Sequence, residues 1–131
     1  MQYLTADDVL EIYTQEIGTP ELRSADGLHS AVGRPQASAS GEDAYPSVFQ
    51  KAAALMQSLA QNQPFVDGNK RIAWLCTKLF LQLHGLPMRA TTEEGLRLLR
   101  EQIPNRMTVD EIAGWIEEHA WSIVDGVDEI A

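Results

Sequence analysis

Residues 63–74, QPFVDGNKRIAW, combine side-chain types that can bind an anion. Gly68 stands directly ahead of a helix that the apolar spacing predicts to begin at Asn69. The first turn of such a helix offers unpaired backbone N–H groups and the positive end of the helix dipole. Lys70 and Arg71 add full positive charges for phosphate oxygens. The spacing therefore indicates a phosphate-binding turn, and the alternative is a solvated Asp-Gly turn followed by two surface cations.

Two further residues of this segment extend the hypothesis. Asp67 lies beside the phosphate turn, and one carboxylate together with substrate phosphates is a common ligand set for Mg²⁺. Phe65 is apolar, so we expect its ring to fix the segment to the protein core. The residues alone thus favour a phosphorylated ligand accompanied by Mg²⁺.

Charge is distributed unevenly along the chain. The net charge of −9 and the isoelectric point near 4.6 argue against broad binding to nucleic acid, which needs clustered lysine and arginine. Residues 63–106 nevertheless carry seven basic side chains against four acidic ones, whereas residues 108–131 carry seven acids and neither lysine nor arginine. A small anionic ligand therefore suits the middle of the chain, and a solvated acidic surface is the simplest interpretation of its end.

Length and composition predict one soluble domain over residues 1–131. A chain of 131 residues with 44% hydrophobic side chains can bury one substantial core. The first residues lack the pattern of a signal peptide, and no apolar run approaches the ~20 residues of a transmembrane helix. We therefore expect a cytoplasmic protein with no membrane contact. The single cysteine, Cys76, falls in an apolar helical pattern and is expected to fill the core.

Helix signals recur along most of the chain and predict an all-α bundle of five to seven helices. Pro46 is typical of the first turn of a helix, and two Thr-x-x-Glu capping boxes open later helices. The stretch GRPQASASGEDAY contains glycine and proline and predicts a loop or short hairpin. The predicted helices cover residues 6–17, 25–31, 46–62 and 69–84, and two more follow the caps Thr91 and Thr108.

Residues 63–71 also resemble the signature of the Fic/Doc family. That signature reads His-Pro-Phe, any residue, Asp or Glu, Gly-Asn, a variable position and Arg, and this chain departs from it at Gln63. The flanking segments AVGRPQ and EDAY and the helix over 51–62 are similar to the Doc (death on curing) toxin branch. The resemblance covers residues 24–85 and implies a Fic-like helical fold that transfers part of a nucleoside triphosphate to a protein hydroxyl.

The resemblance also implies the ligands and the roles of individual residues. ATP and Mg²⁺ are the expected cofactors, with Asp67 at the metal. Residue 63, Asp67 and Arg71 occupy catalytic positions of the family. The expected nucleotide-binding residues are Phe65, Gly68, Asn69, Lys70 and Arg71.

Two positions favour the Doc branch over the AMP-transferring branch. AMP transferases of the family usually have glycine where this chain has Lys70 and a second arginine where it has Trp74. By resemblance, the chain is a protein kinase that moves the γ-phosphoryl group of ATP to a translation protein of the elongation factor Tu type and halts translation. The alternatives are an AMP transferase and a degenerate domain that binds nucleotide or a partner without turnover.

Gln63 stands where the family has its general base. A glutamine amide cannot accept a proton near neutral pH, and loss of a general base typically costs ~10²–10⁴ in rate. We therefore expect this chain to be catalytically impaired. Either it is a degenerate member, or the histidine was replaced so that a toxic protein could be produced, and the otherwise intact loop favours the second explanation.

Regulation is expected to come from another chain. The inhibitory motif of many Fic proteins, Ser or Thr, three residues, Glu, then Gly or Asn, does not occur in this sequence. The Doc resemblance implies an antitoxin whose C-terminal segment folds on binding, and the antitoxin rather than this protein is expected to contact DNA. By the same resemblance the flap, residues 33–45, lies where the target docks. Apolar residues that could contact the antitoxin are Ile112, Trp115, Ile116, Trp121 and Ile123.

Overall fold

Helices build almost all of the structure, a computed structural model that describes residues 1–120. Six α-helices and one two-stranded sheet lie within these residues, which confirms the predicted all-α bundle with a short hairpin. Trp121 and Ile123 lie outside the described residues. The helices are α1 (Ala6–Glu16), α2 (Ala25–Gly33), α3 (Val48–Asn62), α4 (Asn69–Leu83), α5 (Thr92–Arg97) and α6 (Val109–His119). Short 3₁₀ turns cover Arg34–Gln36 and Ile103–Asn105, and a π-helical turn covers Leu98–Gln102.

Capping boxes begin four of these helices. Both predicted boxes are present: Thr91 with Glu94 opens α5, and Thr108 with Glu111 opens α6. The prediction that Pro46 lies in the first turn of α3 is wrong. The Ser47 hydroxyl accepts a hydrogen bond from the backbone N–H three residues later, so Ser47 is the N-cap and the helix begins after it.

Helix α3 is the centre of the bundle and packs against α2, α4 and α6. Its small side chains Ala52, Ala53 and Ala54 are fully buried and let the neighbouring helices approach closely. Cys76 of α4 is also fully buried, as predicted, and burial raises the pKa of its thiol to about 12.

The contact between α4 and α5 is unusually close. Trp74 of α4 is fully buried, and a Cβ at Gly95 of α5 would lie only 2.3 Å from the indole ring. Only glycine fits there, and the approach brings the end of α5 and the π-helical turn beside the N-terminus of α4. Within residues 1–120, no helix is both long and apolar enough to cross a membrane.

The flap region forms more regular structure than a loop. Strands β1 (Ser38–Ala39) and β2 (Glu42–Asp43) pair antiparallel, with Ser40 and Gly41 at the turn. Both turn residues have positive φ, 55° and 81°, as a two-residue hairpin turn of this type requires. The predicted loop or hairpin is thus a hairpin preceded by a 3₁₀ turn.

Candidate functional site

The loop between α3 and α4, residues 63–68, is bounded by left-handed backbone at both ends. Gln63 ends α3 with φ 45° and ψ 60°, and Gly68 precedes α4 with φ 80°. Glycine adopts this conformation without strain, and here it also leaves room for α1, because a Cβ at Gly68 would lie 3.3 Å from the Tyr13 hydroxyl. For Gln63 the left-handed conformation is unfavourable, because the residue carries a side chain and precedes Pro64.

A strap formed by residues 21–24 pairs with this loop through its backbone. Leu22 and Phe65 form an antiparallel bridge. The Pro64 carbonyl accepts hydrogen bonds from the N–H groups of Arg23 and Ser24, at 2.7 and 3.0 Å. The Val66 N–H in turn donates to the carbonyl of residue 21 at 2.9 Å. The strap therefore fixes the path of the loop through backbone hydrogen bonds.

The Arg23 side chain makes a second connection from the strap. Its Nε and Nη2 donate to the Gln63 carbonyl at 3.1 and 2.9 Å, and Nη2 also donates to Gln63 Oε1 at 3.2 Å. Sequence reasoning did not find this residue. It lies 40 positions from its partner, and nothing in the local spacing marks it.

Phe65 supports the loop from the protein core. Its ring is fully buried and stacks on Tyr13 at a centroid separation of 4.4 Å. The Asn69 side chain closes the loop: its Oδ1 accepts from the Phe65 N–H at 2.9 Å, and its Nδ2 donates to the Phe65 carbonyl at 2.8 Å. Phe65 therefore anchors the loop to the core, as its apolar side chain predicted, and its buried ring does not line the cavity beside the loop.

The loop and the first turn of α4 line an open cavity of about 380 Å³, within the size range of small-ligand sites. It brings together every predicted site residue except Phe65. Ala60, Leu96 and Arg100 complete its lining, and sequence reasoning had not assigned these three to the site. The predicted residues at the cavity are Gln63, Asp67, Gly68, Asn69, Lys70 and Arg71.

Three cations, Lys70, Arg71 and Arg100, line this cavity. Arg100 is held by an ion pair with Glu93 at 3.1 Å, in which both side chains are exposed. The basic excess over residues 63–106 was the sequence signal that could have drawn Arg100 into the site. A second cavity of about 400 Å³ shares lining residues with the first, Lys70 among them, and adds Arg106.

Asp67 is the carboxylate of the cavity lining. Its Oδ1 accepts a hydrogen bond from the Gly68 N–H at 2.8 Å, and no bond to Oδ2 is found within residues 1–120. The same part of the chain contains no cluster of three metal-ligating side chains. One carboxylate beside three cations that could bind phosphate fits Mg²⁺, which takes most of its other ligands from substrate phosphates and water.

Two cations, the half-buried Arg34 and the buried Lys51, tie the flap region to α3. Arg34 donates to the Tyr45 hydroxyl at 3.0 Å, to Gln57 Oε1 at 2.6 Å and to the Ser58 hydroxyl at 2.9 Å. Lys51, only 2% exposed, pairs with Asp43 of the hairpin at 3.4 Å. Arg34 thus joins the flap to α3, the helix that ends at the loop.

A family model described as "Fic/DOC family" matches residues 3–81. The chain is 40% identical over 115 residues to "Toxin Doc" of Mycolicibacterium smegmatis, and the alignment covers 86% of this chain and 88% of that protein. The residues matched by the family model include the strap, the hairpin, the loop and the cavity lining except Leu96 and Arg100.

Proposed function

The chain belongs to the Fic/DOC family, and we propose that it is a Doc-like toxin built as a protein kinase. In this proposal the cavity binds ATP with Mg²⁺, and the γ-phosphoryl group passes to a hydroxyl of a translation protein of the elongation factor Tu type. Translation then halts. Members of the family are transferases, and the relative's name, Toxin Doc, supports a toxin.

The proposal rests mainly on one observation: the N-terminus of α4, which has no side-chain cap, and three cations line the same cavity. Gly68 and the first turn of α4 present backbone N–H groups, and Lys70, Arg71 and Arg100 line the same space. Phosphoryl transfer requires positioning and charge neutralisation more than covalent chemistry from the protein. These residues supply both functions for a polyphosphate.

The individual roles follow from chemistry and position. Arg71 offers a planar guanidinium that can bind two phosphate oxygens, and Lys70 offers a compact charge. Asp67 would hold Mg²⁺, which when bound offsets the negative charge of the phosphates. Asn69 keeps the loop in shape through its two bonds to the Phe65 backbone.

Trp74 supports transfer of the γ-phosphoryl group rather than of AMP. By family resemblance, AMP transferases place a second arginine at this position. Here the indole is fully buried against Gly95, so position 74 belongs to the core and offers no charge to a phosphate. Lys70 agrees with this assignment, since the resemblance gives Doc-like toxins a lysine there. AMP transfer remains the second candidate for the reaction.

Gln63 explains why the present chain should turn over poorly. The residue lines the cavity, but its amide cannot take the proton of an attacking hydroxyl. The expected loss is ~10²–10⁴ in rate. A domain that binds nucleotide or a partner without turnover is the non-enzymatic alternative, and Gln63 is the observation that favours it.

Partners and location follow from the same proposal. A separate antitoxin restrains the protein through a C-terminal segment that folds on binding, and it is the antitoxin that contacts DNA. A toxin that acts on the translation machinery works in the cytoplasm, without membrane contact.

Inducible expression of Gln63→His in a bacterial host tests the proposal. We expect growth to stop and protein synthesis to fall, because the variant restores a titratable base to an otherwise complete loop. Gln63→Asn is the matched control, since it also lacks a base, and it should leave growth unchanged. A folded Gln63→His protein that affects neither growth nor translation would refute the toxin assignment.

A further inference from the structure

We propose that Arg23 is a positioning residue for the reaction. Its side chain holds the backbone of residue 63 so that the catalytic side chain at that position faces the cavity. The inference rests on the proposed function, because residue 63 matters only if the family chemistry occurs there. No catalytic contact with substrate is assigned to Arg23 itself.

The backbone at residue 63 needs an external restraint. Its φ of 45° is uncommon for a residue with a side chain, and a following proline disfavours helical backbone at the preceding residue. Such conformations persist where surrounding contacts determine them, and they concentrate at functional sites. Contacts with other residues therefore hold Gln63 in a conformation that its own backbone preference disfavours.

Arg23 supplies this restraint through two bonds to the main chain. Nε and Nη2 both donate to the Gln63 carbonyl, which is also the last carbonyl before Pro64. These bonds do not depend on the side chain at position 63, so they are retained in Gln63→His. The third bond, to Oε1, restrains the glutamine side chain in the present protein.

The guanidinium is well placed because its own backbone is fixed to the same loop. The Arg23 N–H donates to the Pro64 carbonyl at 2.7 Å, one residue from the carbonyl that its side chain binds. The side chain is exposed, so its removal leaves the buried core unchanged. A positioning role can therefore be separated from a general effect on folding.

Kinetics in the Gln63→His background give the first test. We expect Arg23→Ala to lower kcat about 10–100-fold, with the KM for ATP and the melting temperature unchanged, because misplacement of a catalytic group lowers the rate without removing nucleotide contacts. Arg23→Lys keeps one donor and should recover part of the rate. Arg97→Ala is the charge-matched control, because Arg97 is exposed and lies outside the cavity lining. An unchanged kcat, or parallel losses of kcat, ATP affinity and melting temperature, would overturn the proposal.

A second test does not depend on activity. In the present Gln63 chain, NMR backbone shifts and the three-bond H–N–Cα–H coupling report the φ angle of residue 63. We expect Arg23→Ala to lose the left-handed signature and Arg97→Ala to keep it. A left-handed residue 63 in a folded Arg23→Ala variant overturns the inference, whatever the activity assays show. Failure of Gln63→His to transfer any group would instead count against the proposed function.

Discussion

The Tyr13 hydroxyl donates a hydrogen bond to the Asp67 carbonyl at 2.9 Å, so a helix near the start of the chain supports the loop at the cavity. The same ring stacks on Phe65, and the same hydroxyl approaches Gly68. The turn at Gly68 is thus enclosed between α1 and α4, the helix that follows it. Its shape depends on contacts more than 50 residues apart in sequence.

Gly68→Ala should therefore damage both stability and ligand binding. A Cβ at this position meets Tyr13 and forces alanine into left-handed backbone, at a cost of about 1–2 kcal/mol in the free energy of unfolding. Gly114→Ala is the matched control, because Gly114 lies in α6 with negative φ and open space around it. Denaturant unfolding should show a loss for Gly68→Ala and no loss for Gly114→Ala. Equal stabilities would contradict the enclosed turn.

Arg71→Ala should weaken ATP binding by the present chain. Loss of one charge-assisted contact to phosphate corresponds to about 1–3 kcal/mol. Lys78→Ala is the control, because Lys78 is another cation of α4 that does not line the cavity. Titration calorimetry with ATP and Mg²⁺ measures both. If ATP binds the two variants equally tightly, or binds neither them nor the parent chain, the cavity is not the nucleotide site.

The capping boxes make part of the stability dependent on pH. Hydrogen bonds from the backbone and side chain of Thr91 lower the pKa of Glu94, and those of Thr108 lower the pKa of Glu111. Each carboxylate therefore contributes stability above its unfolded pKa, near 4.5, and loses it as the pH falls through the lower folded value. Glu94→Ala combined with Glu111→Ala should be less stable than the parent at pH 7, with a gap that closes toward pH 2. A gap independent of pH would refute this account, and Glu117→Ala serves as the exposed control.

A cognate antitoxin should raise the melting temperature of this protein, because a ligand that binds only the folded state stabilises it by mass action. We expect the partner to be encoded beside this gene and to cover apolar surface of α6 at the half-buried Trp115. Ile112 and Ile116 of the same helix are fully buried in the core, so the prediction that they could contact the partner is wrong. Hydrogen exchange maps the contact. Protection confined to surfaces far from both the flap (residues 33–45) and residues 63–71 would exclude direct steric inhibition.

Local sequence patterns predicted the helices well, but they did not predict the distant contacts that support the loop at the cavity. The spacing of apolar residues located α1, α3 and α4, the capping residue Ser24 located α2, and Thr-x-x-Glu pairs located α5 and α6, since these signals act within a few residues. The start of α3 was predicted wrongly at Pro46, because proline and serine are both common at helix starts. The Ser47 hydroxyl caps the helix, which therefore begins at Val48. The contacts of Arg23 and Tyr13 with the loop were not predicted, because they arise only from the packing of distant segments.

The most direct test of the central claim is group transfer by purified Gln63→His to elongation factor Tu, with ATP labelled separately at the α and γ positions. The γ label should appear on the factor and the α label should not, while the parent Gln63 chain transfers little of either. Nucleotide binding by both proteins is measured beforehand, so that an absence of transfer cannot be attributed to a failure to bind ATP. Transfer of the α label, or no transfer by a folded protein that binds ATP, would contradict a Doc-like kinase.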